Sequence, residues 1–140
     1  MKPVIQLERT GCGIASIAAI AGLSYRETRA IASSLRIFAH DERLWSETAH
    51  VRTLLGHLGI RAGSCETPFR SWEALPDIAL LATKWHCEKG KPYWHWVVFV
   101  REHKQCCVLD SNKSLRTSRR TDFGRMKPKW YIEVTDLNRE

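Results

Sequence analysis

Gln6-Leu7-Glu8-Arg9-Thr10-Gly11-Cys12-Gly13-Ile14-Ala15-Ser16 is a polar loop running into an apolar, small-residue stretch, with a cysteine between two glycines at the junction. The stretch from about Gly11 to Ala21 carries Ile14, Ile17, Ala18 and Ala21 at helical spacing. Cys12 therefore falls at a helix N-terminus. There the unpaired N–H groups and about half a positive charge favour a thiolate, the nucleophilic form of sulfur. Gly11 and Gly13 leave the approach of a substrate open, and Gln6, six residues upstream, has an amide donor that a short loop can bring back beside the sulfur. The plainer account is that Cys12 is a small buried residue on an apolar helix.

Outward from this stretch, 140 residues suffice for one domain, 1–140, with a core that needs no staples. Five cysteines are an odd number without framework spacing, so free thiols are expected. His86-Cys87 and Cys106-Cys107 lack the paired short spacing of tetrahedral zinc, so neither metal nor other cofactor is expected. No apolar run reaches the roughly 18 residues of a membrane span. Met1 to Glu8 has no signal-peptide core, which makes the cytoplasm the expected location. The formal charge is +7, concentrated late in Lys113, Arg116, Arg119, Arg120, Arg125, Lys127 and Lys129. No nucleic-acid motif accompanies these residues, so they read as a solvated loop and edge rather than a nucleic-acid surface.

Gly22 ends the first helix. Ser24 and Glu27 form a capping box for a second, Tyr25 to about Leu35. Ile37 to Leu44 reads as loop. Ser46 is the expected cap of a third helix, Glu47 to Leu58, with Gly59 as its stop. The period then changes: strands are expected at Ile60–Cys65, Asp77–Trp85, Tyr93–Arg101, Gln105–Asp110 and Lys129–Val134. Helices over about 11–59 followed by an antiparallel sheet over about 60–136 make the class α+β.

In the strongest hairpin, a four-residue loop, Arg101 to Lys104, makes paired numbers sum to 205. His95 then sits directly opposite Asp110 on one face, within reach of an imidazole–carboxylate hydrogen bond. A thiol, a base, a carboxylate that orients the base and an amide donor together fill every role of a thiol acyl-transfer site.

This ordered set resembles the papain-like peptidases that trim double-glycine leaders from bacteriocin precursors, usually as the N-terminal domain of an ABC exporter. The matching residues are Gln6, Cys12-Gly13-Ile14-Ala15, His95-Trp96-Val97-Val98 and Val108-Leu109-Asp110. The intervening Leu58-Gly59-Ile60, Leu75-Pro76 and Phe123…Trp130 extend the likeness over nearly the whole chain. Gly11 stands where the family commonly has Asp, and Ser111 where it commonly has Pro. No transporter accompanies the domain, which is read as stand-alone. The resemblance implies a papain-like fold, Cys12 as nucleophile, His95 as base, Asp110 as its orienter, and Gln6 with the Cys12 N–H as oxyanion hole. It also implies a peptide or protein-tail substrate cut after small residues, with Trp94 and Trp96 as candidate cleft walls or, equally, as core. Two further readings keep the same residues: an acyltransferase or deamidase, and a non-catalytic peptide-binding module.

Overall fold

The computed structural model describes residues 1–135; the end of the expected sheet region, at 136, lies outside them. The helices are α1 (Cys12–Ala21), α2 (Tyr25–Ser34), α3 (Ala49–His57) and the short α4 (Phe123–Met126). The strands are β1 (Arg61–Ala62), β2 (Thr67–Pro68), β3 (Ile78–Glu88), β4 (Lys91–Glu102), β5 (Gln105–Leu109), β6 (Arg119–Arg120) and β7 (Trp130–Thr135). The strands form one antiparallel sheet in the order β1-β7-β3-β4-β5-β6, with β2 also paired to β7. The α+β class follows directly.

Every residue of α1 from Cys12 to Ile20 is buried, which is why its residues are small and apolar on all sides. The helix packs on β4, α2 and α3. Together α1, α2 and α3 bury one sheet face through Trp94, Trp96, Val98, Val100, Leu80, Ala82 and Ile132. The other face, with Leu81, Val97, Phe99 and Val108, is covered by Phe69, Trp72, Leu75, Phe123 and Met126. The continuous apolar run in β3 is thus explained by cover on both sides.

The capping box of α2 forms as expected, with Ser24 accepting from the Glu27 N–H and Glu27 from the Ser24 N–H. Three local expectations fail. Glu42–Trp45 is a 3₁₀ turn reaching back into the expected loop. The third helix starts later, after Thr48, because the Ser46 hydroxyl donates to the Pro92 carbonyl of β4 (2.6 Å). The β4–β5 turn has two residues, His103 and Lys104, both at positive φ (52° and 66°). The absence of Gly, Asn or Asp pointed away from such a turn.

That turn sets the register. Val98 pairs with Leu109 and Phe99 with Val108, so paired numbers sum to 207 rather than 205. Asp110 therefore lies across from Val97, diagonal to His95. A shift of two leaves every side chain on the same face, so the His95–Asp110 encounter survives.

Candidate active site

β5 leaves the sheet after Leu109, while β4 continues past it. Alternate residues of β4 turn their main-chain groups to opposite neighbours: the Arg101 N–H goes toward β3, to the Asp77 carbonyl (2.8 Å). Even-numbered residues therefore face the β5 side. Continuing the register would pair Trp96 with Ser111. Instead the Ser111 carbonyl accepts from the Gln6 N–H (3.1 Å), and the Trp96 N–H donates to the Cys12 sulfur (3.4 Å). The Gln6–Cys12 segment is wedged into the gap that β5 opens. Cys12 is fully buried there.

His95 comes from the residue beside that N–H. Its Nε2 lies 2.8 Å from Asp110 Oδ1, and the Cys12 side chain is a further hydrogen-bond partner of the ring. With Nε2 engaged, Nδ1 is the nitrogen left for sulfur. Burial depresses the His95 pKa, but the hydrogen bonds and charges of Asp110 and Cys12 outweigh it, and the value is pushed up to about 9. Burial likewise raises the Asp110 pKa; the His95 bond and charge, the Asn112 N–H and the Arg120 bond bring it down to about 2. The sign of the linkage follows. The His95 contribution to stability is complete below its ordinary 6.5 and is lost as pH rises through about 9. That of Asp110 is complete above 3.8 and is lost as pH falls through about 2.

Gln6 is tied to the same corner. Its Oε1 accepts from the Ser111 hydroxyl (2.6 Å), and its Nε2 donates to the Glu8 and Arg9 carbonyls (both 2.9 Å). The loop is pinned to α2 through Glu8, which accepts from the Tyr25 hydroxyl (2.5 Å) and from Arg29 (2.6 Å). Burial and the Glu8 carboxylate push the Tyr25 pKa up. The same hydroxyl fills the space over Gly11, where a Cβ would land on it. This accounts for a glycine ahead of Cys12.

The remaining three candidates, Trp94, Trp96 and Gly13, divide between cleft and core. A cleft of about 540 Å³ is lined by Gln6, Arg9, Trp45, Trp94, His95 and Lys113 among others. Trp94 reaches it. Trp96 is fully buried: its Nε1 donates to the Leu44 carbonyl (3.3 Å), and its ring meets Trp94 and Trp130 edge-on at 5.6 and 5.5 Å. Gly13 is likewise a packing glycine, because a Cβ there would lie 2.6 Å from His50 Nε2 and 3.2 Å from Trp96.

Sequence reading missed Arg120, which it placed in a solvated patch. Its Nη1 donates to Asp110 Oδ2 (3.0 Å). Arg119 is also committed, donating to the Met1 carbonyl (2.6 Å). The overlooked signal was the Arg120-Thr121-Asp122 pattern. An arginine two residues from an aspartate, after a turn that returns beside β5, suits a strand-end fork. Among the described residues no group of His, Cys, Asp or Glu is arranged to hold a metal ion, and no helix is long and apolar enough to cross a membrane. Compared with known proteins, the chain matches no family model and no curated protein.

Proposed function

We propose that the protein is a papain-like cysteine peptidase with Cys12 as nucleophile, His95 as base and acid, and Asp110 as orienter of His95. The observation that carries the reading is the continuous contact from Cys12 through His95 to Asp110. In this reading His95 takes the proton of the Cys12 thiol, and the thiolate is the attacking form. The thiolate attacks a peptide carbonyl, and His95 delivers its proton to the leaving amine. Water, deprotonated by His95, then hydrolyses the thioester and frees the new carboxyl terminus. Asp110 keeps Nδ1 aimed at sulfur and steadies the imidazolium between transfers. The Cys12 main-chain N–H and Gln6 Nε2 hold the oxyanion, the latter after exchanging one of its loop carbonyls for the substrate oxygen. Losing one such donor typically costs about 10²–10³ in rate.

The substrate of this proposal is a peptide or protein tail cut after small residues of the double-glycine kind, entering beside Trp94. Five unpaired thiols suit the cytoplasm. A non-catalytic binding module would have no need of the Cys12–His95 contact.

The test is the pH dependence of Cys12 alkylation by iodoacetamide, read by mass spectrometry with the other four thiols as internal standards. Labelling should persist well below pH 8, and its midpoint should move up in His95→Ala. A midpoint matching those of Cys65 and Cys87 in both proteins overturns the reading. With a Gly-Gly peptide, a new carboxyl terminus marks hydrolysis, and a new amide linkage marks acyl transfer instead.

A further inference from the structure

His95, Asp110 and Arg120 lie in one diagonal row on a single sheet face. Asp110 is one step beyond Leu109, the partner of Val98, and so lies opposite Val97, two residues from His95. On its other side β6 pairs Val108 with Arg120, and the Asp110 N–H continues that register to the Ser118 carbonyl (2.9 Å). Arg120 is therefore diagonal to Asp110 as Asp110 is to His95. Such neighbours are within reach of long side chains.

The contacts along the row are divided cleanly. Asp110 Oδ1 accepts from His95 Nε2 (2.8 Å) and from the Asn112 N–H (3.1 Å), and Oδ2 accepts from Arg120 Nη1 (3.0 Å). The rest of the guanidinium is occupied by Asp122, with Nε on Oδ1 (3.0 Å) and Nη2 on Oδ2 (2.7 Å). A planar fork held at two points presents its third nitrogen in one direction only. The Asp110 side chain is 1% exposed and that of Arg120 17%, so water does not compete freely for this contact. Asp122 also offsets the positive charge of Arg120, which would otherwise oppose a proton on His95.

We propose that Arg120, itself fixed by Asp122, is a positioning residue that locks the Asp110 carboxylate in the orientation His95 needs. It touches neither substrate nor sulfur and acts through Asp110 alone. This rests on the Cys12–His95–Asp110 reading above.

Geometry and charge predict opposite signs, which makes the test decisive. The titratable groups bonded to His95 are Cys12 and Asp110, with Arg120 and Asp122 behind, while Glu8, Arg9, Glu42, Lys84, Glu88 and Lys113 line the cleft on its open side. Removing a distant positive charge would by itself raise the His95 midpoint. Releasing the carboxylate lowers it. The measurement is the His95 titration in the full chain, by long-range ¹H–¹⁵N correlation of the imidazoles, with a thermal melt on each variant. Arg120→Gln should lower the midpoint from about 9 by about one unit, a tenfold loss of proton affinity. Arg120→Lys, which keeps the charge but not the fork, should lower it less, and Asp122→Asn least. A midpoint unchanged or raised in folded Arg120→Gln overturns the proposal. If that variant does not fold, an unchanged or raised midpoint in Arg120→Lys does so. Asp110→Asn separates the two levels. If it leaves the His95 midpoint in place, the parent reading of the site fails. If it collapses the midpoint while the Arg120 variants do not, only the positioning role fails.

Discussion

The two halves of β4 differ in what surrounds them, although they are one strand. From Val97 to Glu102 the strand lies between β3 and β5, and Val97, Val98, Phe99 and Val100 are at most 2% exposed. From Lys91 to Trp96 it has lost β5, and β3 alongside carries a bulge between Thr83 and His86. The first half satisfies its main chain within the sheet and devotes its side chains to two cores. The second has a main-chain N–H left over, and the Cys12 sulfur takes it. The Cys12–His95–Asp110 cluster sits where the sheet runs out of partners, next to enough sheet to keep it rigid.

This contrast can be broken from either end. Phe99 is fully buried and packs on Trp72 (6.0 Å between ring centroids). Phe99→Ala should therefore cost about 3–5 kcal/mol in a denaturant titration, with the His95 midpoint unmoved in the folded protein. A midpoint that moved with it would mean that the two halves are not independent.

A sharper cut lies beneath the site. His50 is 7% exposed, its Nε2 has no hydrogen-bond partner, and it meets the Trp96 ring edge-on. Burial lowers its pKa to about 4, against a smaller upward pull from Asp41. The unfolded chain thus takes up the proton first, and stability falls as pH drops below 6.5. By pH 5 the loss should reach about 2 kcal/mol. Over that range the His95 and Asp110 contributions stay complete, so urea melts of the parent and of His50→Met isolate this one group. Equal slopes in the two proteins would show that His50 is not responsible.

The third expected effect, of a size with the second, is that of Gly13→Ala. The new methyl would press on His50 and Trp96 and cost about 1–3 kcal/mol as overpacking. Because Trp96 bonds the Cys12 sulfur, this variant should also change the rate of Cys12 alkylation, whereas Phe99→Ala at matched folded fraction should not.

What could be read from the chain followed the range of the forces involved. The capping box of α2 and the all-apolar α1 are local, set by residues within a turn or two of one another. The strand at Tyr93–Arg101 is legible for the same reason, since β-branched and aromatic residues crowd a helix but suit a pleat. The facing of His95 and Asp110 was legible through parity, even though the turn was placed one residue early. The turn itself was not, because His103 and Lys104 adopt positive φ without the residue types that favour it. Ser46 has a good capping side chain, yet a carbonyl of β4, distant in sequence, competes successfully for its hydroxyl.

From the chain alone come the α+β class, the helix start at Cys12 and the face shared by His95 and Asp110. Periodicity and residue type are enough for these. Three-dimensional packing alone settles that Trp96 is wholly core while Trp94, also buried, edges the cleft, that β5 stops where Cys12 enters, and that Arg120 joins the row behind Asp110. Each of these depends on which strand lies beside which and in what register. That is settled when the apolar faces of distant segments are buried together, a condition no short stretch of the chain contains.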